Sequence, residues 1–151
     1  MATKLSADAF VALAALAWAD GDLRASEREG LLKAASTLEP VELDRVKAAL
    51  DSKTDLRAFA PGEMNEWQRL VTYAIGCWLA RLDGIVSLEE HEALKLLAKA
   101  LDLAAPVCER AGIAALELHV MPDGVRPGRF DFEKLELLVA GRLPSLAPKA
   151  Q

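Results

Sequence analysis

The sequence has few of the residues on which nucleophilic and soft-metal sites depend. It contains two histidines and two cysteines among 151 residues, and the cysteines form no Cys-x-x-Cys pair. It has no glycine-rich phosphate loop, no Gly-x-Ser-x-Gly motif and no His-Glu-x-x-His motif. Neither His91 nor His119 belongs to a pattern that places a base against a nucleophile or metal. We therefore expect that the chain is not an enzyme.

Aromatic residues make up only 5% of the chain, and β-branched residues are sparse, whereas Ala and Leu are abundant. This composition favours helices over strands. With 52% apolar residues and 27% charged residues, the chain is typical of a globular protein rather than a disordered one. Its length is that of one domain, which we place at residues 1–151.

The chain has no basic cluster, and its net charge is −5. A phosphate-binding surface needs a basic face, so nucleic acid and anionic membranes are not expected partners. No apolar run approaches the ~18 residues of a transmembrane helix. We therefore expect the partner to be another protein, whose identity the sequence does not give.

The apolar run AFVALAALAWAD, residues 9–20, resembles the core and cleavage site of a signal peptide. Two features argue against a signal peptide: Lys4 is offset by Asp8, and the run has an internal counterpart. We therefore expect a core helix in a cytoplasmic protein.

Cys77 lies in an apolar helical pattern and Cys108 is distant in sequence, which suits a reducing compartment at least as well as a disulfide.

The internal counterpart lies 63 residues further along the chain. At this offset Asp20-Gly21 aligns with Asp83-Gly84, and an apolar helix, an Asp-Gly turn and an acidic-headed helix recur in that order. Two copies are too few for a solenoid. The pattern predicts a pseudo-two-fold bundle with halves at 6–51 and 63–103, followed by C-terminal helices within 105–142.

Apolar periodicity predicts seven helices and no strand, and therefore an all-α single-domain bundle. Ser87 with Glu90 forms a capping box for the fifth helix. Trp67 and Trp78 lie at core spacing in the fourth helix, and a short turn is expected near 56–59. The predicted helices are 6–19, 26–37, 40–50, 63–82, 88–101, 105–120 and 132–142.

The two Asp-Gly motifs match the second half of a calcium-binding EF-hand loop, with Asp, Gly and Glu at its fifth, sixth and twelfth places. The first half is missing, because the first-place residues would be Leu16 and Leu79 and the third-place residues Trp18 and Arg81. A true EF-hand is therefore not expected.

Two interpretations of the motif remain open. Gly ends helices, Asp supports turns and first-turn glutamates favour the helix dipole, so every residue has a structural explanation. The density of acid indicates instead an oxygen-rich site for Ca²⁺ or Mg²⁺, because crowded like charges repel unless they are solvated or bridged by a cation. The acidic residues are Asp20, Asp22, Glu27 and Glu29 at one turn, and Asp83, Glu89, Glu90 and Glu92 at the other.

The sequence also resembles the TerB-like family, which includes tellurite-resistance proteins and a co-chaperone domain. The resemblance rests on an apolar helix, Ala-x-Ala-Asp-Gly and Glu-x-Glu at the start of a Leu/Ala-rich helix, and it spans about residues 9–103. The nearest stretch is LARLDGIVSLEEHEALKLLAKALDL, residues 79–103. The chain lacks the His-Pro-Asp of a J-domain, so the co-chaperone activity is not expected.

The resemblance implies an all-α bundle, a tellurite-resistance type of stress-response role and a divalent-cation site beside the Asp-Gly turns. By position, the implied ligands are Asp20, Asp22 and Glu27 in the first half, and Asp83 and Glu90 in the second. Ile85 replaces the counterpart of Asp22, so the second half should bind an ion less well. The alternative hypothesis is a metal-free helical module that binds another protein.

Overall fold

The computed structural model describes residues 5–18, 24–36, 38–51, 64–81, 87–121 and 131–147. Across these ranges the chain is an all-α bundle of seven helices without a strand, as predicted. The helices are α1 (Ala7–Ala17), α2 (Ala25–Ala34), α3 (Pro40–Asp51), α4 (Glu66–Ala80), α5 (Leu88–Ala100), α6 (Ala105–His119) and α7 (Phe132–Arg142).

Two predicted helix limits are wrong by three residues: α2 ends at Ala34 rather than at residue 37, and α4 begins at Glu66 rather than at residue 63. Asn65 caps the helix, because its side chain accepts a hydrogen bond from the Gln68 backbone N–H at 2.8 Å. The Gln68 side chain accepts one in turn from the Asn65 N–H at 2.9 Å. This reciprocal pair fixes the first turn. The turn predicted near 56–59 lies outside the described residues.

Helices α1 and α4 form the centre of the bundle. The apolar sequence of α1 predicts burial on nearly every side, and nine of its 11 residues are buried. Helix α1 packs against α2, α3, α4 and α5, and α4 packs against α1, α2, α5, α6 and α7. Trp67 and Trp78 are core residues as predicted, with 5% and 0% of their surfaces exposed.

Gly76 allows α1 and α5 to approach α4 closely. A Cβ atom on Gly76 would lie 2.9 Å from Leu16 Cδ2 and 3.0 Å from Leu97 Cδ2, which is closer than such atoms pack. Leu16 belongs to α1 and Leu97 to α5. The missing side chain at Gly76 therefore sets the spacing at the junction of the three helices.

The C-terminal helices extend this core rather than forming a separate layer. The indole Nε1–H of Trp67 on α4 donates a hydrogen bond to Glu136 Oε2 on α7 at 2.9 Å. Arg142 Nε donates to Glu117 Oε1 at 2.7 Å and so connects α7 with α6. Among the described helices, none combines the length and the apolar character needed to cross a bilayer.

Two of the four pairs of helix limits in the proposed halves follow the 63-residue offset, whereas the starts of α1 and α4 and the ends of α2 and α5 do not. Helix α1 ends at Ala17 and α4 ends at Ala80, while α2 begins at Ala25 and α5 begins at Leu88. Both members of each pair are 63 positions apart. A symmetry relation between the halves in space stays a prediction.

Candidate site at the amino-terminal ends of α2 and α5

The first candidate ligand, Glu27, lies in the first turn of α2 and has only 3% of its surface exposed. The backbone N–H of Arg24, the residue that precedes the helix, donates a hydrogen bond to Glu27 Oε1 at 3.3 Å. Arg24 has extended backbone angles, φ −76° and ψ 150°, as expected of a residue that precedes a helix. Glu27 therefore binds the chain immediately before its own helix.

Glu90 occupies the same place in α5 and is 2% exposed. Its backbone N–H donates to Ser87 Oγ at 3.0 Å, and its Oε1 accepts from the Ser87 N–H at 3.2 Å. The predicted capping box is therefore confirmed. Its two hydrogen bonds satisfy backbone N–H groups that the first turn of a helix leaves without partners.

Arg24 brings the two helix ends together. Its Nη1 lies 3.9 Å from Glu90 Oε1, while its backbone N–H bonds to Glu27. The two glutamates, 63 positions apart in sequence, thus contact a single arginine. The Arg24 side chain is 37% exposed, whereas that of Glu90 is 3% exposed. The pair consequently lies at the edge of the core, with the carboxylate on the buried side.

Local electrostatics favour negative charge at this position. Each buried carboxylate lies at the amino-terminal end of a helix, where the exposed N–H groups carry partial positive charge. Arg24 adds a full positive charge beside Glu90. The sequence motif did not identify Arg24 as part of the site. Arg24 nevertheless aligns with the cap residue Ser87 at the 63-residue offset, and a side chain at this position can reach the end of the helix.

Three further acidic residues of α2 and α5 face solvent. Glu29, Glu89 and Glu92 are exposed, and Glu92 lies 3.7 Å from Lys95 Nζ on the same helix. His91 is also exposed. Part of the acid density in the sequence is therefore spread over the surface, and among the described acidic residues of the two motifs only Glu27 and Glu90 are buried.

The remaining candidate ligands, Asp20, Asp22 and Asp83, lie outside the described residues. Over the part of the chain that the structure describes, no three His, Cys, Asp or Glu side chains are grouped closely enough to hold an ion. Glu27 and Glu90 provide carboxylate oxygens, which suit Ca²⁺ or Mg²⁺. A complete shell of about six to eight oxygens needs further ligands or water.

The buried Nε2 atom of His119 has no hydrogen-bond partner among the described residues. This histidine lies at the end of α6, a helix that makes no substantial contact with α2 or α5.

Comparison of the chain with family models, with curated proteins and with solved structures gave no match.

Proposed function

We propose that this chain is a non-enzymatic TerB-like module of the tellurite-resistance, stress-response type that binds a divalent cation beside the amino-terminal ends of α2 and α5. The observation that supports the proposal most is the meeting of Glu27 and Glu90 at Arg24. Two buried carboxylates from separate segments each contact Arg24, one through its backbone N–H and the other through its guanidinium, and both glutamates follow a sequence stretch that carries an Asp-Gly turn. The stress-response assignment rests on the sequence resemblance alone.

The chemistry of the two glutamates suits a hard ion. Their carboxylates would be protein ligands to Ca²⁺ or Mg²⁺, with Asp20, Asp22 and Asp83 as the further ligands that the sequence suggests. Arg24 opposes the ion, because a guanidinium and a divalent cation repel each other. Binding therefore requires that the Arg24 side chain, which is partly exposed, move away from Glu90.

Thermal unfolding with and without added ion tests this proposal. A ligand that binds only the folded state stabilises it by mass action, by about 2.7 kcal/mol at a concentration 100 times its Kd. For a chain of this size that corresponds to about 5–10 °C in Tm. We expect such a rise with millimolar Ca²⁺ or Mg²⁺. The Asp20→Asn, Asp83→Asn double variant should abolish it.

The double variant Glu27→Gln, Glu90→Gln is a sharper probe, because glutamine can keep the capping hydrogen bonds while it loses the charge. It should fold and show no ion-dependent rise in Tm. The matched control is Glu29→Gln, Glu92→Gln, which removes two exposed charges from the same helices and should keep the rise. An unchanged wild-type Tm at millimolar ion would contradict the proposal.

The metal-free interaction module is the second candidate. Two observations favour it: Arg24 already supplies positive charge to Glu90, and several large apolar side chains are exposed. Val41, Leu88 and Leu137 have 76%, 72% and 73% of their surfaces exposed. This hypothesis predicts a Tm that ions do not change, together with a specific protein partner whose capture is lost in the Leu88→Ser or Leu137→Ser variant. An ion-dependent rise in Tm without any such partner would count against it.

A further inference from the structure

A groove open to solvent lies between the first half of α6 and the last turn of α7. Its volume is about 480 Å³, which is within the range of small-molecule sites. A Cβ atom added to Gly141 would meet no atom within 4 Å, so Gly141 leaves open space on the α7 side. The residues that line the groove are Pro106, Glu109, Arg110 and Ile113 of α6, with Gly141 and Arg142 of α7.

Helical spacing places two arginines on the same side of this groove. Arg110 and Glu117 are 117 − 110 = 7 positions apart on α6, and residues at this spacing lie on one face of a helix, two turns apart. Glu117 Oε1 accepts a hydrogen bond from Arg142 Nε at 2.7 Å, so this face of α6 is the one that meets α7. Arg110 and Arg142 therefore both lie along the boundary between the two helices.

Both guanidinium groups keep hydrogen-bonding capacity for a ligand. None of the ion pairs between described residues includes Arg110, which is exposed. Arg142 uses its Nε for Glu117, which leaves the N–H donors of its two terminal nitrogens. Planar guanidinium groups bind carboxylates through paired N–H donors. Two arginines and one glutamate line the groove, so its lining is cationic although the whole chain has a net charge of −5.

The other lining side chains determine the kind of anion that fits. Pro106 and Ile113 form an apolar strip along α6, and Ile113 is 38% exposed. Glu109 also lines the groove. At about 100° per residue, it lies on the opposite side of Ile113 from Arg110. A ligand that lies along the strip with a second negative charge at its far end is therefore repelled by Glu109.

We propose that this groove binds a small organic monocarboxylate, whose carboxylate pairs with the two arginines and whose apolar tail lies on Ile113. Glu109 gives the site its selectivity, because it disfavours dicarboxylates. The groove is independent of the proposed cation site, since α6 makes no substantial contact with α2 or α5. Failure of either proposal therefore leaves the other standing.

Titration followed by ¹H–¹⁵N NMR tests the proposal on the full chain, with octanoate, octanedioate and octylamine as probes of equal chain length. With octanoate at millimolar concentration, we expect saturable shifts of the backbone resonances of Arg110, Ile113 and Gly141. Octanedioate should bind about fivefold more weakly, the effect of one like-charge contact in water, and octylamine should give no saturable shift. Octanoate shifts that do not saturate or that spread over the whole surface overturn the proposal, as does tighter binding of octylamine than of octanoate.

Substitutions separate the roles of the charged residues. Arg110→Gln should weaken octanoate binding about tenfold, because it removes a charge-assisted hydrogen-bonding partner. The matched control is Lys134→Gln, which removes an exposed positive charge of α7 that is not among the lining residues and should leave octanoate binding unchanged. Equal weakening by the two variants would show unspecific charge attraction and contradict the site. Glu109→Gln should remove most of the preference for octanoate over octanedioate, and an unchanged preference would contradict the role of Glu109.

Discussion

Arg24 Nη1 and Glu90 Oε1 lie 3.9 Å apart and join the start of α2 to the start of α5. We expect Arg24→Gln to lower the free energy of unfolding by about 1 kcal/mol, because it leaves a buried carboxylate without this counter-charge. A double-mutant cycle with Glu90→Gln, measured by urea unfolding, isolates the coupling between the two side chains. Strictly additive effects would show that the contact contributes nothing.

The same variant separates the two functional hypotheses. If a divalent cation binds at Glu27 and Glu90, removing the competing positive charge should strengthen binding, so Arg24→Gln should show a larger rise in Tm with Ca²⁺ than the wild type. If the arginine is the permanent counter-ion, neither protein should respond to Ca²⁺. Arg28→Gln is a suitable control, since Arg28 pairs instead with Asp51 at 3.0 Å.

The capping box of α5 gives a second prediction. Ser87→Ala removes the acceptor of the Glu90 N–H and should lower the free energy of unfolding by about 1 kcal/mol. Ser145→Ala, an exposed serine near the C-terminal end of the described chain, should change it by less than about 0.5 kcal/mol. Equal effects in chemical unfolding would contradict the assigned role of Ser87.

Two helical glycines provide a matched pair. Gly76→Ala places a methyl group against Leu16 and Leu97 and should destabilise the protein by about 1–3 kcal/mol. Gly112→Ala on α6 meets no atom within 4 Å, and it should stabilise the protein by about 0.5–1 kcal/mol through helix propensity. Thermal unfolding of both variants checks the predicted opposite signs.

The sequence predicted those features that depend on local pattern. The helical periodicity of apolar residues indicated all seven helices, and Ser87 with Glu90 indicated the cap of α5. The prediction from the sequence placed the start of α4 too early, because the reciprocal cap between Asn65 and Gln68 was not considered. Arg24 was missed for another reason: its role comes from a contact with Glu90, 66 positions away, and a contact between residues so distant in sequence is set by the tertiary fold.

Ionisation of the Cys77 thiol should make the free energy of unfolding depend on pH in the alkaline range. Burial raises its pKa in the folded protein to about 12, from an ordinary value of 9.0. The folded state therefore retains a proton that the unfolded state loses, and the free energy of unfolding should fall as pH rises from about 9 towards 12. Urea unfolding at pH 8 and pH 10.5 should show a smaller decrease for Cys77→Ala than for the wild type. Equal decreases would show that this thiol makes no contribution.

Calcium binding measured by isothermal titration calorimetry tests the central claim most directly. The wild type, the Glu27→Gln, Glu90→Gln variant and the Glu29→Gln, Glu92→Gln control are each titrated with Ca²⁺ at constant ionic strength. The account predicts saturable binding by the wild type and the control, and none by the variant that lacks the two buried carboxylates. Absence of binding by the wild type, or identical binding by all three proteins, would contradict a cation site at the ends of α2 and α5.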